Sequence, residues 1–193
     1  MPNVIEIAAS LRSSQCQAFA GIAITSGRTT LTTSRTFTEL LATFSAAVVA
    51  NDGAGLAALF APDGIYADEF FGPHRGRVAI AAMLQRFHDT GRDYRWDFID
   101  PTSDGATGYA RFRFSFASRL RECEGRPVMF EGISQFRFAG GLIAHYRESF
   151  DRGVALVQLG FPAERIKRIL EKAAAAQNDT AEAREHLDRL PPG

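Results

Sequence analysis

The chain is poor in everything that would staple it, charge it or anchor it. It has two cysteines, Cys16 and Cys123, too few for a disulfide framework and without the C-x-x-C spacing of a redox or zinc motif. A reducing, cytoplasmic setting is the expectation. Lys plus Arg and Asp plus Glu stand at 22 each, so no net charge draws the chain toward phosphate backbones or anionic lipid. No nucleic acid and no membrane is expected as a partner, because no apolar run approaches the roughly 20 residues of a spanning helix. Neither a P-loop nor a G-x-G-x-x-G follows a strand pattern, which argues against a nucleotide cofactor. His74, His88, His145 and His186 lack ligand spacing with one another or with carboxylates. No cofactor and no metal is therefore expected. Gly132-Ile-Ser134-Gln-Phe136 lacks the last glycine of a nucleophile elbow and lies within a strand pattern, so Ser134 is not read as an activated nucleophile.

What is present is the punctuation of a small α+β domain. Residues 1–35 are rich in Ser, Thr and Ala, with Glu6 as their one acid. They are read as a disordered or non-native tail, since no cleavage site follows the short apolar run Ala18–Ile24 to suggest targeting. Order is expected from Thr36, where Thr36-Phe-Thr-Glu39 has the form of a capping box. Phe37, Leu40, Leu41, Phe44 and Val48 then recur at helical spacing. A second helix is predicted over Leu56–Phe60, ending before Pro62. A strand follows over Ile65–Phe71 and a third helix over Arg77–Thr90. Four strands complete the domain: Tyr94–Asp100, Tyr109–Leu120, Val128–Ala139 and Leu142–Phe150. Their short connections predict an antiparallel meander.

Alternation sorts the faces. Phe112, Phe114 and Phe116 share one side of their strand and Arg111, Arg113 and Ser115 the other. In the next strand Phe130, Gly132, Ser134, Phe136 and Phe138 oppose Glu131, Gln135 and Arg137. A cross-strand ladder of Arg111, Arg113, Glu131 and Arg137 would be either solvated or the contact of a homodimer formed through the outer sheet face. Beyond Asp151, residues 152–176 are expected as a helical extension. There Ile166, Ile169, Leu170 and Ala173 share one side, to cover the pocket mouth or a second subunit. Residues 177–193 read as a polar tail with a weak helical pattern.

The ungapped stretch Phe44-Ser-Ala-Ala-Val-Val-Ala-Asn-Asp-Gly-Ala-Gly-Leu-Ala-Ala-Leu-Phe-Ala-Pro-Asp-Gly-Ile-Tyr-Ala-Asp68, together with Phe136-Arg-Phe138, resembles the ketosteroid isomerases. These belong, with the SnoaL-like cyclases, to the nuclear transport factor two-like superfamily. The resemblance covers 36–151. It implies a cone-shaped α+β fold, a strongly curved, mainly antiparallel sheet packed on three N-terminal helices, with the C-terminal helix added. It also puts Asp68 where those isomerases hold their catalytic base. Phe44 and Ser134 stand where they hold a tyrosine and a protonated aspartic acid that bind the oxyanion, and His145-Tyr146-Arg147 stands where SnoaL-like cyclases often have His-Trp-Asp.

From pattern and resemblance together, Phe44, Leu59, Tyr66, Met83, Phe87, Trp96, Phe112, Phe114, Phe130, Ser134 and Tyr146 are expected to line an apolar pocket for a small hydrophobic molecule, aromatic or polycyclic. Asp68 is the candidate catalytic residue. Glu148 is the second, because the last strand's register would put it on the face of Tyr146, where an unpaired carboxylate is costly. His74 and Arg75 are expected at the surface. A cofactor-free isomerase, lyase or cyclase is one reading of this set; a non-catalytic binding or dimerisation module on the same scaffold is the other.

Overall fold

The computed structural model of the protein describes residues 34–190, with side chains from Phe37 onward. Three helices precede or interrupt the sheet: α1 (Ser34–Val49), α2 (Gly53–Ala58) and α3 (Arg77–Thr90). The strands are β1 (Phe60–Asp68), β2 (Gly72–Arg75), β3 (Gly91–Ser103), β4 (Thr107–Ser118), β5 (Pro127–Ala139) and β6 (Leu142–Phe150). Three more helices follow: α4 (Arg152–Gln158), α5 (Ala163–Asn178) and α6 (Ala181–Leu187). The strands form one open sheet in the order β2-β1-β6-β5-β4-β3. Only β1 and β6 run parallel; β3 to β6 form the antiparallel meander.

The core lies between α1 and the inner face of the sheet. Phe37, Leu41, Phe44 and Val48 of α1 are buried in it, as the helical spacing requires. Phe44 is its hub: Phe60, Tyr66, Trp96, Phe98, Phe136 and Tyr146 all lie with ring centroids within 6.4 Å of it. Such ring pairs each add about 0.5–1.5 kcal/mol beyond the area they bury. Glycine makes the approach possible at two points. A Cβ on Gly108 would stand 2.7 Å from the Phe37 ring, and one on Gly132 2.4 Å from the Ser149 carbonyl and 2.7 Å from the Phe112 ring.

Several elements differ from their sequence-predicted bounds. The first helix opens at Ser34, two residues ahead of the expected start. The Thr36 side chain of the capping box lies outside the described residues, as does most of the segment 1–35. The second helix sits earlier, over Gly53–Ala58, because Asp52 caps it by accepting from the Gly55 amide at 2.8 Å. Phe60 therefore belongs to β1, whose pairing with β6 breaks register between Phe60 and Ile65, around Pro62. The single strand predicted over Ile65–Phe71 is two: a turn after Asp68 reverses the chain into β2. That four-residue strand escapes sequence reading because Pro73 stands in it, and proline is tolerated only at a sheet edge.

The C-terminal extension docks on its own chain. Asp151 caps α4 by accepting from the Gly153 amide at 2.7 Å. Ala155, Leu156, Leu159 and Phe161 join the core, with Ile166 and Ile169 packed against it. The Arg165 guanidinium lies 3.9 Å above the Phe161 ring. In the expected polar tail, Thr180 caps the short helix α6, which buries no residue. No described helix is long and apolar enough to cross a membrane.

Since Leu156 is fully buried, Leu156→Ala should lower unfolding stability by about 2–5 kcal/mol. Urea denaturation measures this; an unchanged midpoint would mean that the extension is an appendage and not part of the core.

Candidate functional site

Strand register assembles a row of polar side chains on the inner face. Tyr66 of β1 pairs with Tyr146 of β6, and Ala67 with Arg147. One step further along this parallel pair, Asp68 comes beside Glu148. On the other side of β6, Ser134 of β5 is opposite Glu148 and Phe136 opposite Tyr146. The irregularity in β5–β6 pairing falls between Arg137 and Phe138, beyond this region, so Tyr146 and Glu148 both stay inside. Asp68, Glu148 and Ser134 are 7%, 4% and 0% exposed.

These groups form a directional hydrogen-bond chain. Tyr146 Oη donates to Glu148 Oε2 at 3.3 Å. Its single proton thus spent, it accepts from Ser134 Oγ, 2.9 Å away. Glu148 in turn hydrogen-bonds Asp68, whose Oδ1 also accepts the amides of Phe70 at 2.7 Å and Phe71 at 2.5 Å. Every donor in the row points toward Asp68. Burial, opposed by the Phe71, Phe70 and Glu148 hydrogen bonds, pushes the Asp68 carboxyl up to about 6. Glu148 is held well above the carboxylic range, by burial first and by the Asp68 charge next. At neutral pH the pair therefore shares one proton and one negative charge. Burial likewise raises both tyrosine hydroxyls, keeping them protonated donors.

Around the chain lie donors with nothing to donate to. Tyr66 Oη is buried with no hydrogen-bond partner, lying near the Tyr146 hydroxyl but outside bonding geometry. Trp96 Nε1, on β3 with its ring 5.5 Å from that of Phe44, is also unpartnered. His74 is the directly opposite neighbour of Tyr66 on β2, and its Nε2 is buried and unpartnered as well. Gly72 is the opposite neighbour of Asp68, and a Cβ built on it would meet nothing within 4 Å. The edge strand thus leaves open space at Gly72.

Of the expected lining residues, Phe44, Tyr66, Met83, Trp96, Phe112, Phe114, Phe130, Ser134 and Tyr146 are buried, and Leu59 and Phe87 are half-buried. The structure divides them. Tyr66, Tyr146 and Ser134 gather around the carboxyl pair, whereas Phe112, Phe114 and Phe130 pack with Phe150 and are joined to Phe44 through Trp96. Phe70 joins that group, 5.3 Å from Phe150, and Phe71 contacts Phe87 at 5.3 Å. The turn between β1 and β2 is thereby held from both sides. Glu69 adds an ion pair to Arg152 at the start of α4.

Sequence reading set His74 at the surface with Arg75. Only Arg75 is exposed; the alternation in β2 turns His74 inward. The missed signal was the strand itself, since His74 and Tyr66 become neighbours only once β2 is recognised. On the outer face, Arg113 donates to Glu131 at 2.5 Å and Arg111 to Asp100 at 2.9 Å. Tyr109, Met129 and Ile133 are exposed among them. Among the described residues no cluster of three His, Cys, Asp or Glu is placed to hold a metal ion.

Comparison with known proteins gives the fold a context. The family model of the SnoaL-like domain matches residues 41–146. No curated protein matches the chain. Among solved structures, a hypothetical protein with a ketosteroid isomerase-like fold from Catenulispora acidiphila, in complex with trimethylamine, superposes with a TM-score of 0.59 at 20% identity, covering 65% of this chain and 95% of its own. IdmH from Streptomyces antibioticus, a putative polyketide cyclase by its description, gives a TM-score of 0.55 at 20% identity over 64% of this chain and 98% of its own. An epoxide hydrolase of the LEH-like type from M. tuberculosis gives 0.52 at 20% identity over 63% and 86%. At these identities the likeness is one of fold.

A raised carboxyl also costs stability. A folded-state value of about 6 for Asp68, against 3.8 unfolded, leaves the folded state favoured below the unfolded value and weakened as pH rises toward 6. The shift corresponds to about 3 kcal/mol. Asp68→Asn keeps the Oδ1 acceptor for the Phe70 and Phe71 amides and removes the buried charge. It should raise stability at pH 7.5 by up to about 3 kcal/mol and flatten the loss of stability between pH 4 and 6. Thermal unfolding across that range reads it; a variant less stable than the native chain at pH 7.5 contradicts the assignment of a buried charge.

Proposed function

The chain belongs to the SnoaL-like family, and on that footing we propose that it is a cofactor-independent acid–base enzyme, an isomerase, lyase or cyclase acting on a hydrophobic aromatic or polycyclic small molecule. The observation that carries this reading is the buried Asp68–Glu148 pair at the end of the Ser134–Tyr146 chain. Asp68 is the base. Desolvation raises its proton affinity to about 6, which suits abstraction from carbon near neutral pH while most of it stays ionised. Glu148 keeps its proton through burial and the Asp68 charge and is the acid that returns a proton to the product. When Asp68 takes a proton from the substrate, the negative charge that Glu148, Tyr146 and the two amides stabilise leaves the carboxylate, and the chain relaxes around a neutral dyad.

The description of IdmH as a putative polyketide cyclase supports a cyclising or isomerising reaction among the alternatives, and the aromatic interior supports the class of substrate. The outer sheet face, with Tyr109, Met129 and Ile133 exposed between paired charges, supports a homodimer formed there. One observation favours the opposing reading of a non-catalytic binding protein. Asp68 Oδ1 holds the turn amides of Phe70 and Phe71, work that a carboxylate does without any catalysis.

Proton exchange from carbon separates the two. With 2-tetralone as an acidic aryl ketone in D2O, the native protein should speed deuterium uptake beside the carbonyl, as read by NMR. The rate should rise with pH up to about 6, as Asp68 ionises. Asp68→Asn should lose about 100-fold or more of that acceleration, the usual share of a general base, and Glu148→Gln should lose a part of it. Exchange no faster than in buffer, or an unimpaired Asp68→Asn, would leave the binding protein as the better account.

A further inference from the structure

Among the unpartnered interior donors, two, on β1 and β2, belong to residues directly opposite each other in the sheet. Tyr66 and His74 are a cross-strand pair, with Cα atoms about 4.5–5.5 Å apart in such pairing. Tyr66 Oη and His74 Nε2 are both buried, and neither meets a partner. A buried donor left unsatisfied forfeits its hydration without replacing it, which destabilises the fold. Two on directly opposite residues of the sheet mark a place where an acceptor is to be supplied from outside the chain.

The third participant fixes what the histidine can do. Arg86 of α3 approaches His74 Nδ1 through its Nη2 at 3.4 Å. A guanidinium can only donate, so Nδ1 is the acceptor and the ring proton sits on Nε2, the buried nitrogen. Burial and the Arg86 charge bring the imidazole down to about 4, so it stays neutral at physiological pH. Arg86 has no carboxylate partner among the described residues. Its charge therefore polarises the ring toward whatever accepts from Nε2. The line Arg86 to His74 to ligand ends in a positive-going N–H beside a phenolic O–H.

We infer that His74 Nε2–H and Tyr66 Oη–H together bind one oxygen of the ligand, so that the compound taken by this interior carries a carbonyl, phenolate or enolate oxygen on its aromatic or polycyclic body. This rests on the reading that the interior accepts a small molecule, and deepens it by naming the polar group recognised. It also gives the interior a donor pair on β1 and β2 where Phe44 offers none. Tyr66 and Asp68 are two residues apart on one strand face, about 7 Å along it. An oxygen held at Tyr66 and His74 accordingly leaves the adjoining carbons of the ligand toward Asp68.

The test uses the full chain with 2-naphthol and naphthalene, which differ only in the oxygen. Calorimetric titration should show 2-naphthol bound about tenfold or more tighter, the worth of hydrogen bonds to buried donors. Tyr66→Phe, which removes only the hydroxyl, and His74→Leu should each cut that ratio about fivefold and leave naphthalene affinity nearly unchanged. Arg86→Met should weaken naphthol alone. An independent arm reads the ¹⁵N shifts of the His74 ring at pH 7, expected to report a neutral ring with its proton on Nε2. Equal affinity for the two probes, or a ratio untouched by both variants, overturns the inference and leaves the interior as an apolar binding site. Binding of neither probe overturns both. A ring protonated at pH 7, or carrying its proton on Nδ1, overturns the inference whatever the affinities.

Discussion

The parallel pairing of β1 with β6 is the constraint on which the rest of the structure depends. It is the one contact in the sheet between strands far apart in sequence that run the same way. It joins the helical first half of the domain to the meander of the second. Closing that loop costs chain entropy, recovered by the aromatic core that closure brings together, with Phe44 of α1 reaching Tyr66 on one strand and Tyr146 on the other. The same register sets Asp68 beside Glu148. A slip of one residue in β1 would turn Asp68 and Tyr66 outward, away from Glu148 and Tyr146 on β6. Fold and candidate site are therefore set by one alignment.

That alignment brings a penalty into the core. Two carboxyls share a region lined by aromatic rings, where a charge is poorly solvated and a second like charge is worse. The chain offsets this locally. One carboxyl keeps its proton, the other receives two amides, and a tyrosine and a serine orient the remainder. The turn that supplies the amides is itself fixed, by Phe70 on one side, Phe71 on the other and the Glu69–Arg152 ion pair beneath α4. The C-terminal extension thus bears on the site through the turn that holds Asp68, an effect that no contact with the carboxylate would reveal.

Much of this was legible in the sequence where periodicity was strong. Helix α3 and strand β6 lie within their predicted bounds, and the inner faces of β4 and β5 follow the alternation of phenylalanine with arginine or glutamine. The reading failed where the signal is short or where a cap decides. β2 has four residues and a proline. Asp52 moved α2 forward by using its side chain as a cap, and that choice depends on backbone geometry more than on composition. Glu148 was reached by counting along a strand, a step that holds only because the irregularity in pairing falls before Tyr146. His74 was missed for the complementary reason. Its loop looked solvated, and nothing in Gly72-Pro-His-Arg75 announces an edge strand until its partner is known.

The position of Phe44 shows how local chemistry and packing exclude one another. A residue whose ring meets six others has no surface left for a hydroxyl, and a tyrosine there would bury an oxygen among edges and faces of rings unless a partner were supplied. The polar work of the interior therefore falls to residues at the rim of this cluster, on β1 and on the edge strand β2. There β2 has a sheet neighbour on one side only, and the space at Gly72, opposite Asp68, is open. An edge strand is a weak place for packing and a favourable one for access. The unpartnered Tyr66 and His74 and the raised Asp68 carboxyl thus stand toward that edge, while the aromatic core packs around Phe44.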